Sequence, residues 1–394
     1  MVAHSPKADV PPVSDGTLTQ IIHPYGVGID THSKFIQVCI LCVVHKPDAS
    51  TAVQRLEHEF ATTWTGIKSA LRWVLEKLGL LATQDTLRYC IESTGTYHFP
   101  ILKAWEGVPC VINPHLTGPT RRKTDVLDAR LLAHYSITGL WKPSFVPSNE
   151  AQVLRVLWAA HRECAMLATR ASNRLNNIVL RFGHTFGRRT SMRTAEGEGV
   201  LSDLIEGRVP AVPDVAPDGL PAEVRPLVAA LLADLRSAQV ADRKAIAAAV
   251  NYVKARDWPI GSGTLPGQQF LNVLTSVPGV GQITALTWLA EVTDPRRFDD
   301  QRQVAAFCGC DPSLKVSASK VTSYTKRQGN LRLHHALSYA ARSLMTQANE
   351  PLGRWGRAIA GRHKKGGHRK GTAAVGRRIG CMLWHVHRKG EMFS

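Results

Sequence analysis

The sequence predicts an α/β domain followed by an all-α region. Short apolar segments that end in an acid or a turn recur within the first 113 residues, a pattern typical of strands in one sheet. Residues 149–182 and 224–253 instead carry apolar side chains at spacings of three and four, which predicts two long amphipathic helices. Shorter helical patterns and a strongly basic segment fill the remaining carboxy-terminal residues.

The amino-acid composition limits the kinds of molecule that this protein is expected to bind. The chain has 394 residues, enough for two or three domains, and 44% of them are hydrophobic, as in folded globular proteins. Its net charge of +18 favours a polyanionic partner such as nucleic acid. An anionic membrane is the competing partner, but we find no apolar run of about eighteen residues. The amino terminus does not resemble a signal peptide, so we expect no membrane association and a cytoplasmic protein.

The amino-terminal domain is predicted over residues 21–147, after a loose arm at 1–20. Its order is three strands, a helix, a strand, a helix, a strand and a helix, which suits a sheet built from antiparallel hairpins first and crossovers after. The predicted elements are strands 25–30, 34–45 and 52–60, helix 63–80, strand 88–92, helix 97–105, strand 108–113 and a helix beginning at Asp125.

Four acids lie where these elements begin or end. Asp30 and Glu92 each close an apolar strand, and open sheets place their sites at strand ends. Asp125 and Asp128 share one face of a helix capped by Thr124, with Leu127, Leu131 and Leu132 facing inward. Clustered carboxylates call for a cation, and the four are candidate ligands of a two-metal Mg²⁺ centre for phosphoryl transfer. The alternative is a helix start whose acids are favoured by its dipole alone.

Residues 148–256 predict a helical insert, since two long helices are joined by a polar, proline-rich connection. Such a pair forms an αα-hairpin or a coiled coil, which usually pairs subunits or spaces domains. We therefore expect a homo-oligomer, a dimer or a tetramer.

The carboxy-terminal domain, 257–394, predicts contacts to nucleic acid. Residues around Gly279 and Gly281 have the pattern of a helix-hairpin-helix, whose amides hold a phosphate without reading bases, although an ordinary αα turn fits as well. Residues 351–394 hold eleven Lys or Arg against Glu391 alone, which suits a phosphate backbone; a solvated tail is the alternative. Besides the two glycines, the candidate nucleic-acid contacts are Arg121, Arg122, Lys123, Lys326, Arg327, Lys364, Lys365, Arg369 and Lys370.

Three motifs give the acids a family context. Gly28-Ile29-Asp30, Glu92-Ser-Thr-Gly95 with Tyr97-His98, and Lys123-Thr124-Asp125-x-x-Asp128-Ala129 resemble the acidic motifs of the DEDD transposases of bacterial insertion sequences. The segment from Asp294 to Arg332 resembles the carboxy-terminal transposase domain of the same family. This resemblance implies an RNase H-like, RuvC-like amino-terminal domain and a helical insert that links the two domains.

The resemblance also implies a nucleophile and an RNA. Alignment through Pro312-Ser-Leu-Lys-Val-Ser317 makes Ser317 the covalent nucleophile, with Ser319 as the reserve. The family usually has Gly at the next position, where this chain has Ala318. An RNA encoded by the element would pair with target and donor DNA.

The expected activity follows from these assignments. The four acids would hold Mg²⁺ while Ser317, from the other domain, attacks a DNA phosphodiester, so that strands are rejoined without ATP. Two alternatives stay open: a nuclease resembling a Holliday-junction resolvase, in which water replaces the serine, and a non-catalytic nucleic-acid-binding protein.

Overall fold

The computed structural model contains two compact units, Met1–Val146 and Pro147–Ser394, which are described separately. The structure describes residues 21–45, 47, 51–93, 95–112, 125–139, 143–185, 192–210, 215–310, 314–317, 320–324 and 329–394. Within this part of the chain, none of the helices combines the length and the apolar character needed to cross a membrane.

The first unit is built on a mixed five-stranded sheet. Its strand order is β3-β2-β1-β4-β5, with β1, β2 and β3 antiparallel and with β4 and β5 parallel to β1. Hairpins therefore come first and crossovers after, as the sequence predicts, and the topology is consistent with an RNase H-like domain. The strands are β1 (Tyr25–Thr31), β2 (Phe35–His45), β3 (Thr51–Ala61), β4 (Arg88–Glu92) and β5 (Val108–Ile112).

Helices cover both faces of this sheet. On one face, alternate strand residues such as Val27, Ile29 and Ile91 share a core with α1 (Trp64–Leu78) and with Ile101 of α2 (Phe99–Ala104). The opposite face is covered by α3 (Asp125–Thr138). The period of two in a strand thus sends Gly26, Gly28 and Asp30 to the α3 side.

Two glycines of β1 let α3 approach the strand backbone directly. A Cβ atom at Gly28 would lie 2.1 Å from the Ala129 carbonyl oxygen, and one at Gly26 would lie 2.3 Å from that of Ala133. No side chain fits at these distances. Gly26 contacts Ala133, whereas Gly28, which is nearer to Asp30, contacts Ala129, which is nearer to the start of α3. The first turn of α3, with Asp125 and Asp128, therefore lies at the same end of β1 as Asp30.

The buried face of α3 includes the two alanines that contact β1. Ala129, Leu132 and Ala133 are buried, but Leu127 is 38% exposed, so the expectation that Leu127 faces inward is wrong. Close approach to a glycine backbone favours alanines over leucines at the contact.

An ion pair fixes the outer side of α3. Arg130 donates two hydrogen bonds to the Glu57 carboxylate of β3: Nε donates to Oε1, and Nη2 donates to Oε2 at 2.8 Å. Burial opposes ionisation of Glu57, but the hydrogen bond and charge of Arg130 outweigh it and lower the pKa of Glu57. The helix is therefore held by a bidentate contact as well as by packing.

The second unit begins with three helices, α4 (Asn149–Arg181), α5 (Ala195–Glu206) and α6 (Arg225–Lys254). The two long helices, α4 and α6, pack through Ala171, Leu175 and Leu235, and α5 adds Leu201 and Leu204 to the same core. The helix α5 replaces part of the polar connection that the sequence predicts, since Thr194 caps it and its leucines complete the core.

Further along the second unit, helices surround the central helix α8 (Gln282–Val292). Every residue of α8 from Thr284 to Val292 is buried. The other elements are β6 (Asp257–Ile260), β7 (Gly263–Pro266), α7 (Gly267–Thr275), α9 (Gln301–Phe307), β8 (Leu314–Ser317), β9 (Lys320–Tyr324), α10 (Leu331–Thr346), α11 (Pro351–Gly361) and α12 (Gly367–Lys389).

Replacing Gly28 by alanine should destabilise the first unit. The added Cβ would meet the Ala129 carbonyl oxygen at 2.1 Å and the Ala133 nitrogen at 2.2 Å, so α3 must move. Overpacking of this kind costs about 1–3 kcal/mol. Urea unfolding of the full chain, followed by intrinsic tryptophan fluorescence to which the buried Trp105 of this unit contributes, measures the loss.

Gly199→Ala is the matched control. Gly199 lies within α5, and a Cβ there meets no atom within 4 Å, so the substitution should be neutral or stabilise by about 0.4–1 kcal/mol. Equal urea midpoints for Gly28→Ala and wild type would refute the close-approach argument.

Candidate functional site

The backbone brings Asp30 and Glu92 to the same edge of the sheet. Gly28 pairs with Cys90 and Ile29 with Ile91 in the parallel ladder of β1 and β4. One residue further along, Asp30 and Glu92 stand side by side on the face that α3 covers. The first turn of α3 contains Asp125 and Asp128, and all four acids are half-buried.

Charge repulsion shows how close the four acids are. The pKa of Asp30 is raised from 3.8 to about 6, first by burial and then by the negative charges of Asp128, Asp125 and Glu92. The Thr31 amide opposes this shift by donating a 3.0 Å hydrogen bond to Asp30 Oδ1. Asp30 therefore lies in the combined field of the other three carboxylates.

These residues fit a hard divalent cation. Carboxylate oxygens are the ligands that Mg²⁺ prefers, and a cation would reverse the repulsion that raises the pKa of Asp30. Among the described residues, no three His, Cys, Asp or Glu side chains stand close enough together to form a metal-binding group. The acids are thus electrostatic neighbours, without the geometry of a closed ligand set.

Ser317 is the last residue of β8, where its backbone pairs with Lys320 of β9. The chain enters and leaves this serine hairpin (residues 314–324) through a narrow neck. Gly309 and Gly329 touch there: a Cβ at Gly329 would lie 2.6 Å from the Gly309 Cα. The Asn330 amide also donates to the Phe307 carbonyl oxygen at 2.7 Å, which joins the two sides. Ser319 lies outside the described residues.

A buried carboxylate stabilises the neck through hydrogen bonds. Glu291 of α8 is 5% exposed, and it accepts hydrogen bonds from Asn330 Nδ2 at 2.6 Å and from Arg332 Nη1 at 2.8 Å. Asn330 Oδ1 in turn accepts from the Arg332 and Leu333 amides and so caps α10. One acid therefore links the central helix, the neck of the serine hairpin and the first turn of α10.

The end of α8 beside Glu291 is strained and lined with cations. Thr293 has φ of 65°, a value that a β-branched residue rarely adopts, and it is buried. Arg155 Nε donates to the Ala290 carbonyl oxygen at 2.7 Å, and Arg297 Nη1 donates to that of Glu291 at 3.3 Å. Burial lowers the pKa of Arg297 to about 10, and the neighbouring charge of Arg155 adds to the shift.

The predicted helix-hairpin-helix glycines have different environments. Gly279, with φ of 78°, packs on α10, since a Cβ there would lie 2.6 Å from Leu344 Cγ. A Cβ at Gly281 would meet no atom within 4 Å, and this glycine precedes α8 without a side-chain capping bond. Close packing against α10 therefore explains why position 279 is a glycine. Of the two glycines, Gly281 is the one with space around it for a ligand.

The predicted basic contacts are only partly within the described residues. Lys364, Lys365, Arg369 and Lys370 are exposed between the end of α11 and the first turn of α12. Lys370 Nζ lies 3.2 Å from His363 Nδ1. The remaining predicted contacts and the proposed cap lie outside the described residues: Arg121, Arg122, Lys123, Thr124, Lys326 and Arg327.

Sequence reasoning missed the residues that hold these parts in place. Glu57 and Arg130 lie 73 positions apart and give no local signal. The sequence does contain a signal for Glu291, because an acid within the apolar run Ile283–Val292 is unusual for a buried helix.

A mixed sheet that gathers four acids at one edge, followed by a helical unit with a serine hairpin, is the arrangement expected of a DEDD transposase. A family model for DEDD transposases, described as "Transposase", matches residues 27–183. A second model, described as "Transposase IS116/IS110/IS902 family", matches residues 271–355. The two models together match more than half of the chain, and the chain belongs to the IS110 family of DEDD transposases.

One curated relative is the transposase for insertion sequence element IS1111A of Coxiella burnetii (strain RSA 493 / Nine Mile phase I). It is 29% identical over 122 residues, which are 30% of this chain. The match spans 33% of that relative's own length.

Asp30→Asn should stabilise the metal-free protein. Asparagine keeps the acceptor for the Thr31 amide but removes one of four like charges, so at pH 7 in EDTA the melting temperature should rise by about 2–4 °C. Mg²⁺ should raise the melting temperature of the wild type more than that of the variant. Differential scanning fluorimetry measures both effects, and Asp85→Asn, an exposed acid of the same unit, is the control.

The gain in stability from Asp30→Asn should depend on pH. Because the folded pKa of Asp30 is about 6 against 3.8, the folded state holds this proton more tightly than the unfolded chain does. Its contribution to stability is complete below 3.8 and is lost as the pH rises through about 6. The gain from Asp30→Asn should therefore appear over that window, and a gain independent of pH would contradict the assignment.

Glu291→Gln should loosen the neck of the serine hairpin. The amide presents an NH₂ group to one of two donors, the half-buried Asn330 or the exposed Arg332, and a hydrogen bond to a charged group contributes about 1.5–3 kcal/mol. Hydrogen exchange of the peptide that contains the Asn330 amide should speed up. Glu163→Gln, an exposed site on α4, is the control and should leave that exchange unchanged.

Proposed function

We propose that this protein is the transposase of an insertion sequence, cutting and rejoining DNA through a phosphodiester bond to Ser317. Family membership supports the activity class. The observation that carries the chemistry is the convergence of Asp125, Asp128 and Glu92 on Asp30, which is expressed in its raised pKa. Four acids so placed suit metal-assisted phosphoryl transfer.

Asp30, Glu92, Asp125 and Asp128 would hold Mg²⁺, in a two-metal arrangement. When bound, the metal supplies positive charge for the attacking and leaving oxygens of the phosphodiester. The protein's own part is to keep the carboxylates in place: β1 and β4 fix two of them through the ladder, and the glycine contact of α3 fixes the other two.

Ser317 would act as the nucleophile. Its Oγ loses a proton and forms a bond to phosphorus, while the bond from phosphorus to the leaving DNA oxygen breaks and that oxygen is protonated. One phosphoester bond replaces another, so the energy of the linkage is kept. A DNA hydroxyl can then attack the phosphoserine in the reverse sense and rejoin a strand without ATP.

Nucleic acid would be bound mainly through charge. Eleven Lys or Arg in residues 351–394 and the open helix start at Gly281 suit phosphates, as do the other basic contacts predicted above. An RNA encoded by the element would guide the choice of DNA. The long pair α4 and α6 would join copies of the chain into a dimer or tetramer.

A second candidate function is a nuclease that resembles junction resolvases. The four acids favour it, because metal-activated water at such a site cleaves DNA without any serine. A third, non-catalytic binding, requires that the acids be structural, and it conflicts with the repulsion that they impose on Asp30.

A trap for covalent adducts tests the proposal. The protein is incubated with Mg²⁺, joined element-end DNA, a target duplex and the RNA that copurifies, then denatured and examined for DNA that migrates with protein. We expect an adduct in wild type that is lost in both Ser317→Ala and Asp125→Asn. Removal of Mg²⁺ by EDTA should abolish it as well.

Other outcomes separate the candidates. Ser319→Ala is the matched control for the serine and should leave the adduct in place. Metal-dependent nicking without an adduct, unchanged by Ser317→Ala, would establish the resolvase-like nuclease instead. DNA binding with no effect of metal or of Asp125→Asn would leave only the binding function.

A further inference from the structure

A cleft of about 650 Å³ opens between α10 and α12 of the second unit. Its lining from α10 recurs every three or four residues, so the cleft follows one face of that helix. From Leu331 to Arg342 this face is about 17 Å long, the rise of about five nucleotides in one strand of a duplex. The lining residues are Leu331, His334, His335, Ser338, Tyr339, Arg342, Arg369, Thr372 and Ala373.

The chemistry of this cleft is basic and aromatic. Arg342 comes from α10 and Arg369 from α12, both are exposed, and none of the described lining residues is an acid. The Tyr339 side chain is 71% exposed, which is unusual for a large aromatic residue, and the Arg342 guanidinium lies 6.0 Å from the centre of its ring. Cations beside an accessible aromatic face are the elements with which proteins hold unpaired nucleotides.

The cleft begins at the neck of the serine hairpin. Leu331 and His334 belong to the first turn of α10, immediately after Asn330, whose amide closes the neck. His334 is also beside Gly309 on the other side of the neck, since its Cβ lies 3.7 Å from where a Gly309 Cβ would be. A strand in the cleft would therefore run to the base of the segment that carries Ser317.

We propose that this cleft binds a single-stranded segment of nucleic acid, with one base stacked on Tyr339 and phosphates paired with Arg342 and Arg369. The inference deepens the proposed function, on which it rests, by naming where an unpaired strand is held. Duplex DNA leaves no base face free for Tyr339, whereas a strand opened for cutting or a guide RNA does. Guanidinium groups on the two walls then meet phosphates on either side of the stacked base.

Fluorescence anisotropy of the full chain with three 20-nucleotide probes tests the proposal: single-stranded DNA, single-stranded RNA of the same sequence, and the duplex. EDTA in the buffer removes divalent metal and so prevents metal-dependent cleavage, so the anisotropy reports binding alone. Tyr339→Ala should weaken single-strand binding about tenfold, while Tyr339→Phe, which keeps the ring, should bind like wild type. Arg342→Ala and Arg369→Ala should each lower the salt dependence of binding by about one ion.

Arg243→Ala removes the same charge from an exposed site on α6 and is the matched control. The proposal is overturned if Tyr339→Ala binds the single strands as tightly as Tyr339→Phe, or if the arginine variants behave like Arg243→Ala. It is also overturned if the substitutions weaken duplex binding equally, because stacking then plays no part. Tyr339 is too exposed for its loss to unfold the chain, and a thermal melt checks this.

The two single-stranded probes distinguish the sources of the strand. A larger effect of Tyr339→Ala on RNA assigns the cleft to a guide, and a larger effect on DNA assigns it to the strand that is cut. Failure of this binding test leaves the covalent-adduct test unaffected, since the adduct depends on Ser317 and the four acids. Conversely, loss of the adduct chemistry would leave the measured binding in place.

Discussion

The arrangement of the first unit depends on one close contact, that of α3 with the backbone of β1 at Gly26 and Gly28. A Cβ at Gly28 or Gly26 would lie only 2.1 Å or 2.3 Å from a carbonyl oxygen of α3, so the helix would have to move outward. The helix carries Asp125 and Asp128 on its first turn, so such a shift would remove both acids from the end of β1, where Asp30 lies. Packing at two residues without side chains thus sets the electrostatics of the candidate site, and the Glu57–Arg130 pair holds the helix in that position.

Buried acids in the two units meet opposite conditions. Glu291 lies among donors, since Asn330 and Arg332 satisfy both carboxylate oxygens, and this arrangement fixes the neck of the serine hairpin. Asp30 is half-buried beside three other carboxylates, and burial first and their negative charges second raise its pKa. A carboxylate whose oxygens both accept hydrogen bonds stabilises the fold. A carboxylate surrounded by other carboxylates instead favours the binding of a cation. Of these two acids within the described residues, Asp30 is therefore the one whose surroundings suit metal chemistry.

The sequence predicts the sheet and the long helices well because strands with a period of two and helices with a period near four leave local patterns. It also predicts the four acids as neighbours, since strand ends and helix starts are readable. It does not predict the α3 contact surface: Leu127 looks like a core residue, but glycines on the opposite strand select Ala129 and Ala133 instead. Contacts such as Glu57–Arg130 depend on pairing between distant segments, and hairpin β8–β9 has too few apolar residues to show a strand pattern.

Charge links the two halves of the proposed chemistry. The chain carries +18 overall, yet the first unit brings four carboxylates to one end of its sheet, and under the proposed function a DNA phosphate would add further negative charge there. Bound phosphate oxygens and carboxylates can be neighbours only with a cation between them. Metal and nucleic acid should therefore each raise the affinity for the other, as reciprocal coupling requires. On this argument the repulsion at Asp30 favours the metal-bound state, because a cation among the four carboxylates removes it.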